Sequence, residues 1–289
     1  MPRSPNGWVP LTDIEIELPD AGGVTWSVCV RDQSGMPLGQ VEADMPLRTA
    51  SVGKVLLLLE TARAIAAGEL SPDEPLTRTV DLWVGDSGLW HTLSVETLPL
   101  VDVAALVGAV SDNLATNVLL RRVGLAEVAA LATSLGLRAT ALHDRVRDVR
   151  EADHPPTLST GTAGELSALM SRISSGSAVG PEADRLVRQW LSANVDQTMV
   201  GSALVERGGL DPIAHHASLG AETVLWNKTG ADSGVRADVG AATSGERTVS
   251  WAVIANWDPA PGTSLDQLTV WAVLRGMRHV GEQVLARLP

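Results

Sequence analysis

The stretch 51–67, SVGKVLLLLETARAIAA, opens with a serine and a lysine three positions apart and continues as an apolar run. Val55, Leu56, Leu57, Leu58 and Leu59 are consecutive, and Ala62, Ile65 and Ala66 follow. A helix of this composition is apolar nearly all round, which predicts that it lies buried at the centre of the fold. Residues three apart share one helix face. The Ser51 hydroxyl and the Lys54 amine are therefore presented together at one end of a core element.

Working outward, 24–31 and 38–43 read as an antiparallel hairpin joined by the turn segment Asp32-Gln33-Ser34-Gly35-Met36-Pro37. Helical patterns follow at 101–110, 114–123, 126–135, 162–174 and 181–194, broken by Gly124, Gly136 and Pro155-Pro156. Beyond them, 222–228, 234–243 and 248–257 read as strands, 205–221 as a surface loop, and 265–288 as a closing amphipathic helix. The order of strands, helices, strands and helix predicts an α+β fold. An antiparallel sheet built from both chain ends is flanked by helices, with an all-helical subdomain inserted. The expected division places 1–45 and 205–289 in the α/β subdomain and 46–204 in the helical one, with the active site between them. No internal repeat is present.

With 289 residues and 45% hydrophobic content, the chain can bury a sizeable core. A net charge of -12 argues against a nucleic-acid or anionic-membrane surface, both of which need clustered cations. The expected partner is a small-molecule substrate, and the expected state a monomer. No segment reaches transmembrane length, and the opening MPRSPNGWVPLTDIEIELPD has neither an apolar signal core nor a small-residue cleavage site. The chain as written is expected to be cytoplasmic, and periplasmic or secreted if its start was trimmed. Cys29, the single cysteine, excludes an intrachain disulfide and reads as a packed strand residue. Phe and Tyr are both absent. A GC-rich coding sequence and deliberate removal of residue types would each produce this.

Three motifs stand in order: Ser51-Val52-Gly53-Lys54, Ser111-Asp112-Asn113 and Lys228-Thr229-Gly230. A serine hydroxyl is a weak nucleophile at neutral pH and needs a base within reach. A lysine one turn later meets that need if burial or a second ammonium lowers its pKa, and Lys228 is the available second charge. Each motif alone has a plainer structural reading, as a helix cap with a solvated lysine, a helix start, or a strand entering a turn. Lysine usage weighs against those readings. Of the 22 Lys and Arg residues only Lys54 and Lys228 are lysines. A deprotonatable amine requires lysine, because guanidinium stays charged.

In motif order, spacing and apparent topology, residues 24–287 resemble a class A β-lactamase of the penicillin-recognising superfamily. The resemblance implies a β-lactamase/transpeptidase-like fold and hydrolysis of β-lactams or related cyclic or peptidic amides through a Ser51 acyl-enzyme. The sequence itself shows no phosphate-cradling Gly loop, nucleotide fingerprint or metal-ligand cluster, so no cofactor or metal is expected. The resemblance further implies that Lys54 acts as or assists the base and that Ser111 relays a proton toward the leaving nitrogen. Asn113 would hold the substrate's side-chain amide. Lys228 and Thr229, followed by Gly230, would meet its carboxylate, and the N–H groups of Ser51 and Ala231 would form the oxyanion hole. Arg236 resembles the family's arginine that supports carboxylate binding; an exposed strand arginine is the alternative.

One expected residue is missing. The family carries Glu-x-x-x-Asn on a loop whose glutamate activates the deacylating water. Here the matching stretch is 142–151, LHDRVRDVRE, in which Asp144-Arg145 resembles the loop's opening and Arg147 stands where the glutamate is expected. Asp148 and Glu151 are the candidate replacement bases; a solvated charged loop is the plainer reading of both. Three outcomes stay open: β-lactam hydrolysis through another base, hydrolysis of simpler amides or esters, and a slow or stalled β-lactam-binding, sensor-like protein. Serine-type glutaminases share the motifs but lean on tyrosines, which this chain lacks. A cell-wall peptidase would need export.

His215-His216 reads as surface loop and not as a metal site, and His91 and His143 as structural. Trp83 and Trp90 flank the segment Gly85-Asp86-Ser87-Gly88. Either one lines the pocket's lip or the pair anchors the loop.

Overall fold

Short runs buried on both faces mark the central strands. In the computed structural model, which describes residues 14–211, 223–262 and 264–288, the chain begins with β1 (Thr25–Arg31), β2 (Pro37–Val41) and the two-residue β3 (Leu47–Arg48). A 3-10 turn, Ala50–Gly53, runs straight into α1 (Lys54–Ala66). Next come β4 (Pro75–Thr77), β5 (Thr97–Pro99), α2 (Leu100–Val110), α3 (Asn113–Val123), α4 (Leu125–Ser134), β6 (Ala141–Leu142) and β7 (Ser159–Gly161). Helices α5 (Ala163–Ser175), α6 (Pro181–Ser192) and α7 (Gly201–Gly208) precede β8 (Thr223–Asp232), β9 (Val235–Ser244), β10 (Arg247–Asn256) and α8 (Ser264–Leu285).

The expected sheet is present: five antiparallel strands in the order β2-β1-β10-β9-β8, joining both ends of the chain. Period-two alternation sorts its side chains onto two faces. Cys29, Val239, Ala252 and Ile254 join the core shared with α1 to α6, whereas Val28, Val30, Trp251 and Val253 join the core under α7 and α8. Cys29 is fully buried, as a packed strand residue should be. Helix α1 occupies the middle of the larger core, with Leu57, Leu58 and Leu59 fully buried. Each such leucine contributes roughly 1.5–3 kcal/mol relative to exposure. No helix among the described residues is long and apolar enough to cross a membrane.

Three expectations need correction. The inserted region is not all-helical, because it carries β4 paired with β5 and the small sheet β3-β7-β6. Strands of two or three residues are too short to show a period. The segment 205–221 is not all loop: α7 runs to Gly208, and Val200 and Leu204 pack beneath α8. A boundary at 204 and 205 therefore divides a helix that packs as one unit, and tertiary burial overrides its Gly-rich composition. The third concerns β8, which extends through Lys228-Thr229-Gly230 to Asp232, because pairing with β9 continues to Asp232↔Val235. His215 and His216 lie outside the described residues.

Candidate active site

Ser51 sits in the 3-10 turn at the head of α1, and the residue before it is strained. Ala50 has φ 47°, a conformation that costs a non-glycine residue on the order of 1–3 kcal/mol and persists only where the surroundings impose it. The surroundings here are β7 and β8. Ser159 Oγ donates to the Ala50 carbonyl at 2.6 Å and lies 2.7 Å from Thr49 Oγ1, and the Thr49 N–H donates to the Ser159 carbonyl at 3.1 Å. From the other side, Gly230 on edge strand β8 comes so close that a Cβ there would lie 2.3 Å from the Thr49 carbonyl oxygen and 3.1 Å from the Ser51 nitrogen. Only glycine permits that approach. The Ser51 side chain is half-buried, and no hydrogen bond to its hydroxyl is present among the described residues.

Lys54 is fully buried. Its ammonium donates to the Ser111 carbonyl at 2.7 Å, to Ser111 Oγ at 3.2 Å and to Asn113 Oδ1 at 2.8 Å. Burial first and the Lys228 charge second pull its pKa well below the ordinary lysine range, against the opposing pull of Asp112 and Asp86. The second motif is thus clamped to the first through the lysine. Ser111 closes α2 in the left-handed conformation at φ 54°. Asp112 caps α3 by accepting from the Ala115 N–H at 2.8 Å, while its other oxygen takes the N–H groups of Leu89 and Trp90 at 2.7 and 2.8 Å. One buried carboxylate therefore fixes both the start of α3 and the loop beside it. Trp90 is the anchor of that loop, fully buried with its indole N–H on the Val95 carbonyl. Trp83 stays 49% exposed, edge-on to His91.

The third motif lies on β8 beside the serine turn. Lys228 is fully buried, donates to the Thr229 carbonyl at 2.7 Å, and has its pKa pulled down to about 8 by burial, against Asp196 and Asp238. Thr229 is buried and Ala231 exposed. Arg236 pairs with Ala231 across the hairpin but spends its guanidinium on the carbonyls of Asp232 and Val235, at 3.0 and 2.7 Å, with the Trp257 ring 5.9 Å away. Sequence reasoning missed the support behind this strand. Asp238, opposite Thr229, accepts from Asn227 Nδ2, the Trp251 indole and the Val200 N–H, and burial pushes its pKa up to about 6. Asn227 in turn accepts from Asn194 and Gln197, both at 2.9 Å. These contacts depend on strand register, which no local motif encodes.

The loop at 143–155 is arranged differently. Asp144 Oδ2 takes Arg147 Nε and Arg150 Nη1, both at 2.7 Å, and its Oδ1 takes the Arg145 N–H at 2.8 Å. Arg147, at the position where a glutamate was expected, is thus spent on an ion pair. Asp148 and Glu151 are both exposed. Among the described residues, the Asp148 carboxylate accepts one hydrogen bond, from the Gly85 N–H at 3.4 Å. No hydrogen bond joins either residue to Ser51, Lys54 or Asn113 among the described residues, so the geometry does not bring the candidate bases to the serine. Glu151, Asp153 and His154 do place donor atoms within 4.8 Å of one another at the surface, the one such group among the described residues.

The arrangement is similar to known structures over nearly its full length. A beta-lactamase from Sphaerobacter thermophilus matches with a TM-score of 0.73 and 23% identity, covering 91% of this chain and 93% of that one. An ancestral (GNCA) class A beta-lactamase matches with a TM-score of 0.73 and 21% identity over 92% and 95%. A mutant of PBP-A, in an acyl-enzyme complex with penicillin G, matches with a TM-score of 0.71 and 21% identity over 92% of each. Identities this low establish the fold alone. Comparison with curated proteins gives no match. The family described as "Beta-lactamase enzyme family" matches residues 12–263, a span that takes in all three motifs and every strand of the main sheet. The chain belongs to that family.

Proposed function

We propose that the protein is a serine hydrolase of the class A type that attacks β-lactams, or related cyclic or peptidic amides, through Ser51. The observation that supports this most is the fully buried Lys54, held between Ser111 and Asn113 with a second buried lysine nearby. The downward shift of its pKa favours the neutral amine that a base requires. In the proposed step, neutral Lys54 takes the proton of Ser51 Oγ as that oxygen bonds to the carbonyl carbon, and the N–H groups of Ser51 and Ala231 receive the oxyanion. The C–N bond then breaks as Ser111 gives its hydroxyl proton to the leaving nitrogen and takes one back from the Lys54 ammonium, 3.2 Å away, which returns Lys54 to its neutral form. Lys228, Thr229 and Arg236 supply positive charge and donors for the substrate carboxylate, and Asn113 is offered to its side-chain amide. No step in the scheme calls on a metal or cofactor.

The loop favours a second reading of the same site. Acylation and deacylation are separate events, and the charges at 144–151 are paired with one another or turned to solvent. The acyl-enzyme is therefore long-lived, and turnover slow. The test is incubation with a chromogenic cephalosporin while hydrolysis and intact mass are followed together. Wild-type protein gains one acyl group per chain, and Ser51→Ala gains none. If Ser51→Ala is labelled as fast as wild type, Ser51 is not the nucleophile. Labelling by an activated ester but not by a cephalosporin would move the substrate class to esters and simple amides.

A further inference from the structure

We infer that Ser159 and Thr49 form a hydroxyl relay that aims the Ser51 N–H into the site, which makes Ser159 a positioning residue for acylation; the inference rests on Ser51 being the acylated nucleophile. The reasoning begins with the peptide plane. The Ala50 carbonyl and the Ser51 N–H belong to one rigid unit and point in opposite directions, so holding the carbonyl aims the N–H. Ser159 Oγ holds it at 2.6 Å. A hydroxyl has one proton to give, and Ser159 spends it on Ala50. The Thr49 hydroxyl, 2.7 Å away, must therefore be the donor to Ser159 Oγ. Ser159 is 0% exposed and Thr49 1%, so water does not compete for either group.

Three further observations converge on this turn. Ala50 holds its left-handed φ of 47° only because its neighbours impose it, and Ser159 contacts both its carbonyl and the preceding residue. Gly53 lacks the Cβ that would stand 2.3 Å from Ser159 Cβ, so the glycine inside the first motif is the space that Ser159 fills. The Ser51 N–H has no hydrogen-bond partner among the described residues, which leaves it open to an incoming oxyanion. Ser159 reaches the turn because β7 pairs with β3, Leu47↔Gly161 and Arg48↔Thr160, immediately before it.

The experiment compares Ser159→Ala, Thr49→Val and Thr49→Ser with wild type in three measurements. These are the rate of penicillin acylation by intact mass, the affinity for an arylboronic acid whose tetrahedral serine adduct places an oxygen on the same N–H groups, and the 15N shift and exchange rate of the Ser51 amide. Ser159→Ala is expected to slow acylation roughly 10- to 100-fold, somewhat less than outright removal of an oxyanion donor. Boronate affinity should fall by a similar factor and the Ser51 amide signal should move. Thr49→Val should show the same changes in smaller degree, and Thr49→Ser should match wild type. A purely structural role would lower the melting temperature and leave the rate per folded molecule and the boronate affinity unchanged, which overturns the relay. If wild type takes neither penicillin nor boronate, the nucleophile assignment fails instead. The relay then stands or falls on the Ser51 amide, and an unmoved signal in Ser159→Ala overturns it.

Discussion

Around Lys54 the charges are buried and bonded only to neutral groups, whereas along 144–151 the buried Asp144 is paired with Arg147 and Arg150 while Asp148 and Glu151 are exposed. Lys54 and Lys228 donate to carbonyl, hydroxyl and amide oxygens, and no carboxylate pairs with either among the described residues. Asp144 instead collects two guanidinium groups. Burial raises its pKa, but the hydrogen bonds from Arg147 and Arg150 outweigh burial and hold it below the usual carboxylate range. The first arrangement sacrifices stability to keep two amines deprotonatable. The second is an ordinary structural clamp. On the proposed reading, the groups that would form an acyl-enzyme are gathered around Ser51, and among the described residues no hydrogen bond brings a base that would release it to them.

The largest expected effect is on the reactive side. Lys54→Met should slow acylation about 1,000-fold, within the range for removing a general base, and stopped-flow measurement with a chromogenic substrate checks it. A loss below tenfold would assign the base elsewhere. Lys228→Met tests the claim of sacrificed stability. The lysine's pKa is about 8 in the folded chain against an ordinary 10.5, so the unfolded chain binds the proton more tightly. Its penalty is complete below pH 8 and fades as pH rises through 10.5. The substitution should raise stability at pH 7 by on the order of 3 kcal/mol while impairing acylation, as read by denaturant unfolding across pH. Asp238 has the opposite slope. Its raised pKa makes wild-type stability fall as pH climbs from the ordinary carboxylate range through about 6.

How far the sequence disclosed this comparison depended on distance along the chain. Helix α1 and the three motifs were legible because each is a local pattern: an apolar run, a spacing of three, a cap before a helix. The hidden parts are contacts between segments far apart. Ser159 meets Ala50 only through the β3–β7 pairing, and Asp238 backs Thr229 only through the β8–β9 register. Asn113 was read as a substrate ligand, yet its side chain also holds Lys54, because α3 starts where α2 turns back through Ser111. Arg147 was recognised as a departure, but its pairing with Asp144 follows from the folded course of the loop and not from the spacing.

Smaller effects belong to the loop. Asp144→Asn leaves Arg147 and Arg150 facing a neutral amide and should cost about 2 kcal/mol in urea unfolding, a partly exposed version of a broken buried pair. The acylation rate per folded molecule should stay at the wild-type level. Asp148→Ala and Glu151→Ala should each change the rate of any hydrolysis less than twofold in a steady-state assay. A tenfold drop in either would mean that the loop moves inward and supplies the deacylating base.

The most direct test of the whole account is a burst experiment in which penicillin is mixed with the protein and both acylated protein and hydrolysed product are counted against time. The account predicts about one equivalent of adduct on Ser51, formed quickly, followed by much slower release of product. Rapid, sustained hydrolysis with no accumulating adduct would contradict it.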